Sequence, residues 1–316
     1  MDFNQKHLST LPVAIIFFAI CYSVSCTNLV GKEGPQHPKS HQKMLDILAE
    51  TRKKMNHHDN GFCSEARVAH CDSILSTMKE PWEQLNLKFL KAGMLLEYGD
   101  EVQAVAIYEE LLSQSTTVQS ESRKQLLVSM GTAYIRLAER NNCIAGHNAD
   151  ACIMPIQGGG IHQDKAAGRK AIEIFEAVLA DDPSDLDALW LLNISYMTLG
   201  EYPQSVPKAW LIPGLEKSEY QIQPFMDMAP DLKIAVNNRA GGSIVDDFDN
   251  DGYLDIVTSA WGLDDPMHYF RNNGDGTFSD MSRISGLEEI TGGLNITSTD
   301  YNNDGWLDIF VLRGAW

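Results

Sequence analysis

Basic residues are scarce in this chain: 25 Lys and Arg stand against 43 Asp and Glu, a formal charge of −18. That balance excludes nucleic acid as a natural partner, because phosphate binding needs clustered cations. The signatures of common catalytic sites are also missing. No G-x-S-x-G and no H-E-x-x-H occurs, and the C-terminal Asp clusters have a single histidine nearby, His268, too little for acid–base chemistry. No C-x-x-C-H occurs, so covalent haem is not indicated. The glycine run Gly158 to Gly160 has no Lys-Ser/Thr after it and no strand pattern before it. It reads as a flexible turn rather than a phosphate loop. The N-terminal apolar run, Leu11 to Val24, is too short to span a bilayer comfortably.

What is present at that end is a targeting pattern. Lys6 and His7 precede the apolar run, and Ser23-Val24-Ser25-Cys26 follows it, as in a secretory signal peptide over residues 1–26. Cys26 directly after small residues also resembles a lipoprotein processing site, although Ser23 stands where an aliphatic residue is usual. Both outcomes stay open, and export is common to them. A lipid on Cys26 would be the chain's tie to a membrane. Beyond the signal, four cysteines remain: Cys63, Cys71, Cys143 and Cys152. An even count in an exported chain favours disulfides, and the sequence leaves their pairing open among three connectivities.

With 316 residues and 44% apolar content, the chain can bury more than one core. Residues 27–84 read as a linker and N-terminal helices. From 85 to 215, apolar residues recur at three- and four-residue spacing and strand signals are few. Ala92, Leu95, Gly99, Ala104, Tyr108 and Leu111 fit a helix, a Gly-Asp turn and a second helix. Leu189, Leu192, Tyr196, Gly200 and Tyr202 repeat those offsets. Leu127, Met130, Gly131 and Tyr134 fit a first helix, and Ala171, Phe175, Val178 and Pro183 a second. This pattern resembles the tetratricopeptide repeat, which implies an α-solenoid of stacked helix pairs with a concave face.

An insertion over 139–165 interrupts the second repeat. It holds Cys143, His147, Cys152 and His162, whose C-x3-H-x4-C-x9-H spacing matches no common zinc module. A Cys143–Cys152 disulfide is therefore favoured over a metal. His57, His58, Cys63, His70 and Cys71 form a second such cluster, read the same way.

After a linker over 216–233, residues 234–316 turn to short β-prone runs punctuated by Gly, Asn and Asp. Two segments, DFDNDGYLDIV and DYNNDGWLDIF, fit D-x-[DN]-x-D-G-x-x-D. Asp247, Asp249, Asp251 and Asp255 occupy positions 1, 3, 5 and 9 of the first; Asp300, Asn302, Asp304 and Asp308 occupy those of the second. Ca²⁺ takes roughly six to eight oxygen ligands, and alternate side chains of a tight loop converge on one point. Backbone carbonyls at Tyr253 and Trp306 would add a seventh-position oxygen. Gly252 and Gly305 stand where the chain must turn sharply. An EF-hand is excluded, because position 12 is Thr258 or Val311 rather than Glu, and the flanking residues favour strands over a helix. Between the loops, MHYFRNNGDGTFSDMS reads as a hairpin turning at Asn273–Gly276, with Asp275 in the turn rather than in a third site.

Asp300 follows Asp247 by 53 positions, a repeat length that fits one four-stranded propeller blade. The region resembles the FG-GAP/VCBS repeat of integrin-like propellers, and RNNGDGTFSDMSRISGL is similar to the ASPIC/UnbV group, which includes cartilage acidic protein. The resemblance implies Ca²⁺ bracing loops on a propeller rim, with roles in adhesion and recognition. The expected fold is thus α + β and multidomain: a TPR-like solenoid, then the first blades of an incomplete Ca²⁺-binding propeller. Fewer than two blades are present where about four to eight close a ring, so the sequence reads as a truncated piece of a longer protein. The expected function is non-catalytic recognition of a protein or glycan. A propeller-based polysaccharide lyase or hydrolase and a TPR-based assembly factor are the alternatives.

Overall fold

The computed structural model describes residues 38–114, 120–144, 146, 148, 150–151, 154–217 and 225–314. The signal pattern, Cys26, His147, Cys152 and Trp316 lie outside them. Among the described residues, no helix is long and apolar enough to cross a membrane.

From residue 39 to 198 the described chain is mainly helical: α1 (Lys39–Met55), α2 (Ser64–Leu75), α3 (Pro81–Tyr98), α4 (Glu101–Gln114), α5 (Ser120–Glu139), α6 (Ala166–Asp181) and α7 (Leu186–Thr198). From α2 on, each packs mainly against its neighbours in sequence. Local chemistry sets several ends. Pro81 starts α3, where its missing N–H costs nothing. Gly99 ends it in the left-handed region at φ 93°, with Asp100 N–H donating to Leu95 O at 2.8 Å. The close of α7 repeats this: Gly200 has φ 72°, and Glu201 N–H donates to Tyr196 O at 2.9 Å. Asp185 caps α7 by accepting from Ala188 N–H at 2.9 Å.

Most of the apolar template positions read from the sequence are in the core. Ala92, Leu95, Ala104, Tyr108, Leu111, Met130, Ala171, Phe175, Val178 and Leu192 are all buried in one cluster. Gly131 of α5 meets the Phe175 ring of α6 so closely that a Cβ would lie 2.6 Å from it. Two tyrosines reach back to the preceding helix. Tyr134 donates to Glu109, and Tyr196 donates to Glu176 at 2.8 Å.

The segment read from the sequence as an insertion lies between α5 and α6. Asn142 closes its base, accepting from Gln163 and Asp164 N–H at 2.7 and 2.8 Å and donating to Ala138 O at 2.8 Å. The glycine run is not the flexible turn expected. Gly158–Gly160 forms a 3₁₀ turn against Asp150, whose carboxylate accepts from Gly159 N–H at 2.9 Å. A Cβ on Gly160 would meet the Asp150 carbonyl oxygen at 2.5 Å, so close chain approach is what demands glycine there.

The local Cys63–Cys71 bridge is also corrected. Both are free thiols: Cys63 donates to Met55 O at 3.2 Å, and the buried Cys71 contacts Met94 Sδ at 3.7 Å. Cys63 precedes α2 and Cys71 lies within it, eight positions on. A helical rise over that span is about 12 Å, beyond the roughly 4.4–6.8 Å between the Cα atoms of a disulfide.

The C-terminal region holds β1 (Ala240–Asp246), β2 (Asp255–Ala260), β3 (His268–Asn272) and β4 (Phe278–Asp280) in one antiparallel meander, then the hairpin β5 (Asn295–Thr299) and β6 (Asp308–Leu312). The expected β3–β4 hairpin is present; its turn is held by Asn273 N–H on Thr277 O and by Thr277 N–H on Asp275 Oδ1, both 3.0 Å. Val257, Met267 and Ile296 are the buried centre of a small core shared by both sheets. Glycine permits their close approach: a Cβ on Gly242 of β1 would lie 2.7 Å from the backbone nitrogen of Ile296 on β5. Arg52 pairs with Asp264, His41 lies 2.8 Å from Glu289, and Phe62 meets Trp261 edge-on at 6.2 Å. These contacts join α1 and the α1–α2 turn to the β2–β3 connection and to the segment between β4 and β5.

Candidate metal centre

Each acidic loop connects two antiparallel strands, β1 to β2 and β5 to β6, and in each the ninth-position Asp is the first residue of the departing strand. Strands, not helices, leave both loops. Two residues per loop adopt positive φ: Asn250 at 58° with Gly252 at 88°, and Asn303 at 61° with Gly305 at 89°. This left-handed backbone, which Asn and Gly tolerate best, curls the loop inward.

The internal bonding repeats position by position. In the first loop, Asp247 Oδ1 accepts from Asp251 N–H at 3.0 Å and its Oδ2 from Gly252 N–H at 2.9 Å. In the second, Asp300 Oδ1 accepts from Asp304 N–H at 3.0 Å and its Oδ2 from Gly305 N–H at 2.9 Å. The seventh-position residues donate likewise, Tyr253 to Asp251 and Trp306 to Asp304, each at 2.9 Å. Asp255 Oδ2 accepts from Phe248 N–H at 3.2 Å, as Asp308 Oδ2 does from Tyr301 N–H at 2.9 Å. The loops also touch, since Asn250 Nδ2 donates to Gly305 O at 3.1 Å.

Asp247, Asp249 and Asp255 bring carboxylate oxygens within 4.8 Å of one another. Asp251, the fourth acid expected in that set, stands outside this group, with Oδ1 taken by the Tyr253 N–H. Burial, followed by the charges of Asp251 and Asp255, pushes the Asp249 carboxyl above its usual range. Arg271 of β3 opposes this from 4.0 Å. No three-carboxylate group forms at the second loop among the described residues. Asn302 takes the third position there, accepting from Asp304 N–H at 3.0 Å and donating to Asp304 Oδ2 at 2.8 Å.

Three contributors lie outside the motif. Tyr269 OH donates to Asp255 Oδ2 at 2.9 Å, and Asn272 N–H donates to Asp255 Oδ1 at 2.8 Å, leaving Asp255 fully buried. Ser298 of β5 donates to Asp246 beside the first loop at 3.0 Å. Pairing of β3 with β2 and packing of β5 beside β1 bring these residues to the loop, and the motif spacing carries no signal for them.

Of the other sites read from the sequence, Cys143 Sγ lies 3.6 Å from Nε2 of His162, which is buried. Their expected companions His147 and Cys152 are outside the described residues. Residues 247–311 match the FG-GAP-like repeat family, a span that covers both acidic loops and the strands between them. The comparison with curated proteins and the comparison with solved structures each found no match.

Proposed function

We propose that this is an exported Ca²⁺-binding repeat protein whose C-terminal blades and helical repeats recognise a protein or glycan without catalysing a reaction. The observation that carries the calcium reading is the convergence of Asp247, Asp249 and Asp255 on one point. Carboxylates so close repel one another, and a hard divalent cation is the ligand that offsets this. The donor set fits: it is all oxygen, and backbone N–H groups orient the carboxylates from behind. Bound there, Ca²⁺ would supply charge neutralisation and a fixed loop shape. Asp300, Asn302, Asp304 and Asp308 would hold a second ion, with Tyr253 and Trp306 offering carbonyl oxygens.

The four-stranded meander followed by a hairpin that repeats its loop geometry supports reading β1–β4 as one propeller blade and β5–β6 as the start of the next. The paired Gly-ended helices and their shared core support a tetratricopeptide-like reading of residues 85–215. An apolar cleft lined by Trp82, Leu85, Phe89, Leu111 and Leu126 gives the helices a surface suited to a partner. Export rests on the pattern of residues 1–26 and not on disulfides, now that Cys63 and Cys71 are free thiols.

Calorimetric titration with Ca²⁺ tests the central claim. Binding should be lost at the first loop on Asp247→Asn. Absence of heat at millimolar Ca²⁺ in the unmutated protein would remove the reading.

A further inference from the structure

The turn between α1 and α2 carries a second group of metal-ligand side chains, chemically unlike the acidic loops. His57, His58 and Asp59 bring two imidazole nitrogens and a carboxylate within 4.8 Å of one another. Asp59 spans the pair: Oδ2 lies 3.2 Å from His57 Nδ1, and Oδ1 lies 3.4 Å from His58 Nε2. Tetrahedral Zn²⁺ with bonds of about 2.0–2.2 Å holds its ligand atoms about 3.4 Å apart; the two nitrogen–oxygen distances, each to a different oxygen of Asp59, are close to that.

His57 Nδ1 accepts from Asp59 N–H at 3.3 Å and lies 3.2 Å from Asp59 Oδ2, so the turn folds the carboxylate back onto the imidazole.

The turn is built to hold these groups. Asn60 Nδ2 donates to Met55 O at 2.9 Å, Asn60 N–H to His57 O at 3.0 Å, and Phe62 N–H to Asn60 Oδ1 at 3.1 Å. His70, one α2 turn beyond Arg67, stacks on His58 with ring centroids 3.7 Å apart and planes 17° from parallel, which fixes the plane of that imidazole. The thiols grouped with these histidines on sequence are engaged elsewhere: Cys63 with Met55 O and Cys71 with Met94.

We propose that His57, His58 and Asp59 bind a borderline divalent transition-metal ion, for which Zn²⁺ is the probe, with His70 as a positioning residue and the remaining coordination open to solvent. Imidazole nitrogen suits Zn²⁺, Ni²⁺ and Cu²⁺ and is a poor ligand for Ca²⁺. The site is therefore independent of the acidic loops. It lies close in sequence to Phe62, whose ring meets Trp261 just after β2, so an ion there braces the turn where the helices meet the β region.

The test is calorimetric titration of the full chain with Zn²⁺, after chelation and in saturating Ca²⁺ so that the acidic loops are occupied. The expected result is a Zn²⁺ equivalent in the unmutated protein that disappears in His57→Ala/His58→Ala. Asp59→Asn should bind at least about tenfold more weakly, and His268→Ala should bind as the parent does. Equal Zn²⁺ uptake by the parent and the double variant, or unchanged affinity in Asp59→Asn, would overturn the proposal. A readout that needs no variant is Zn²⁺ protection of His57 and His58 from diethylpyrocarbonate, mapped by mass spectrometry. Modification at the same rate with and without Zn²⁺ would also overturn it.

Discussion

The hydroxyl of Tyr269 donates a 2.9 Å hydrogen bond to Oδ2 of Asp255, tying β3 to the residue at which the first acidic loop becomes β2. Asp255 is fully buried, and its two oxygens also receive the N–H groups of Phe248 and Asn272. A buried carboxylate needs such donors, because each one missing leaves charge uncompensated in a low-dielectric setting.

Tyr269→Phe should therefore lower stability by about 1.5–3 kcal/mol, the range for a hydrogen bond to a charged group. Urea unfolding followed by circular dichroism measures it. An unchanged midpoint would mean that the Asp255 carboxylate does not depend on this donor.

Asp249→Asn should act with opposite signs in two solutions. In EDTA it removes like-charge repulsion from Asp251 and Asp255, so the melting temperature should hold or rise. In Ca²⁺ it removes a charged ligand, so the calcium-dependent rise should shrink. Parallel melts in the two buffers give both signs, and a loss of stability in EDTA would contradict the repulsion argument.

The two loops should differ in affinity. The first offers four Asp and a buried Asp255 with outer-strand donors, whereas the second substitutes Asn302 and half-exposes Asp308. Calcium affinity grows with ligand charge and site rigidity, so titration should resolve a tighter and a weaker step. Asp247→Asn should abolish the tighter one and Asp300→Asn the weaker. The reverse assignment would refute the ranking.

Gly131→Ala should destabilise the helical core by about 1–3 kcal/mol through overpacking. Its Cβ would fall 2.6 Å from the Phe175 ring, which is fully buried. Gly61→Ala, at a glycine with nothing within 4 Å, is the control for chemical denaturation.

Alkaline pH should separate three tyrosines from the exposed ones. Burial and then the Glu176 carboxylate push Tyr196 up to about 12, while burial with Glu109 and burial with Asp255 push Tyr134 and Tyr269 higher still. A folded-state pKa above the unfolded value near 10 gives stability that is whole below about pH 10 and is lost as pH rises through the folded value. Ultraviolet absorbance titration should show late phenolate formation, and Glu176→Gln should bring one of the late steps down. Simultaneous ionisation of all tyrosines in the folded protein would contradict this.

The acidic loops were legible in the chain because their Asp and Asn side chains lie within nine consecutive residues, and so close a spacing leaves little for tertiary structure to rearrange. The helix ends at Gly99 and Gly200, the insertion between α5 and α6, and the hairpin at Asn273–Gly276 were legible for the same reason: each rests on local backbone preference. The thiols misled, since composition and compartment say nothing about where a helix sends Cys71. Asp59 went unnoticed among the histidines because a lone surface Asp carries no pattern.

By itself, then, the sequence determined the order of helical and β regions and the two oxygen-rich loops, all short-range properties of the chain. Only tertiary structure decided that Tyr269 and Asn272 close over Asp255, that Gly131 must yield to Phe175, and that His57, His58 and Asp59 converge while the cysteines disperse. Those relationships depend on which surfaces pack together, and packing joins residues whose separation along the chain encodes nothing about their distance in space.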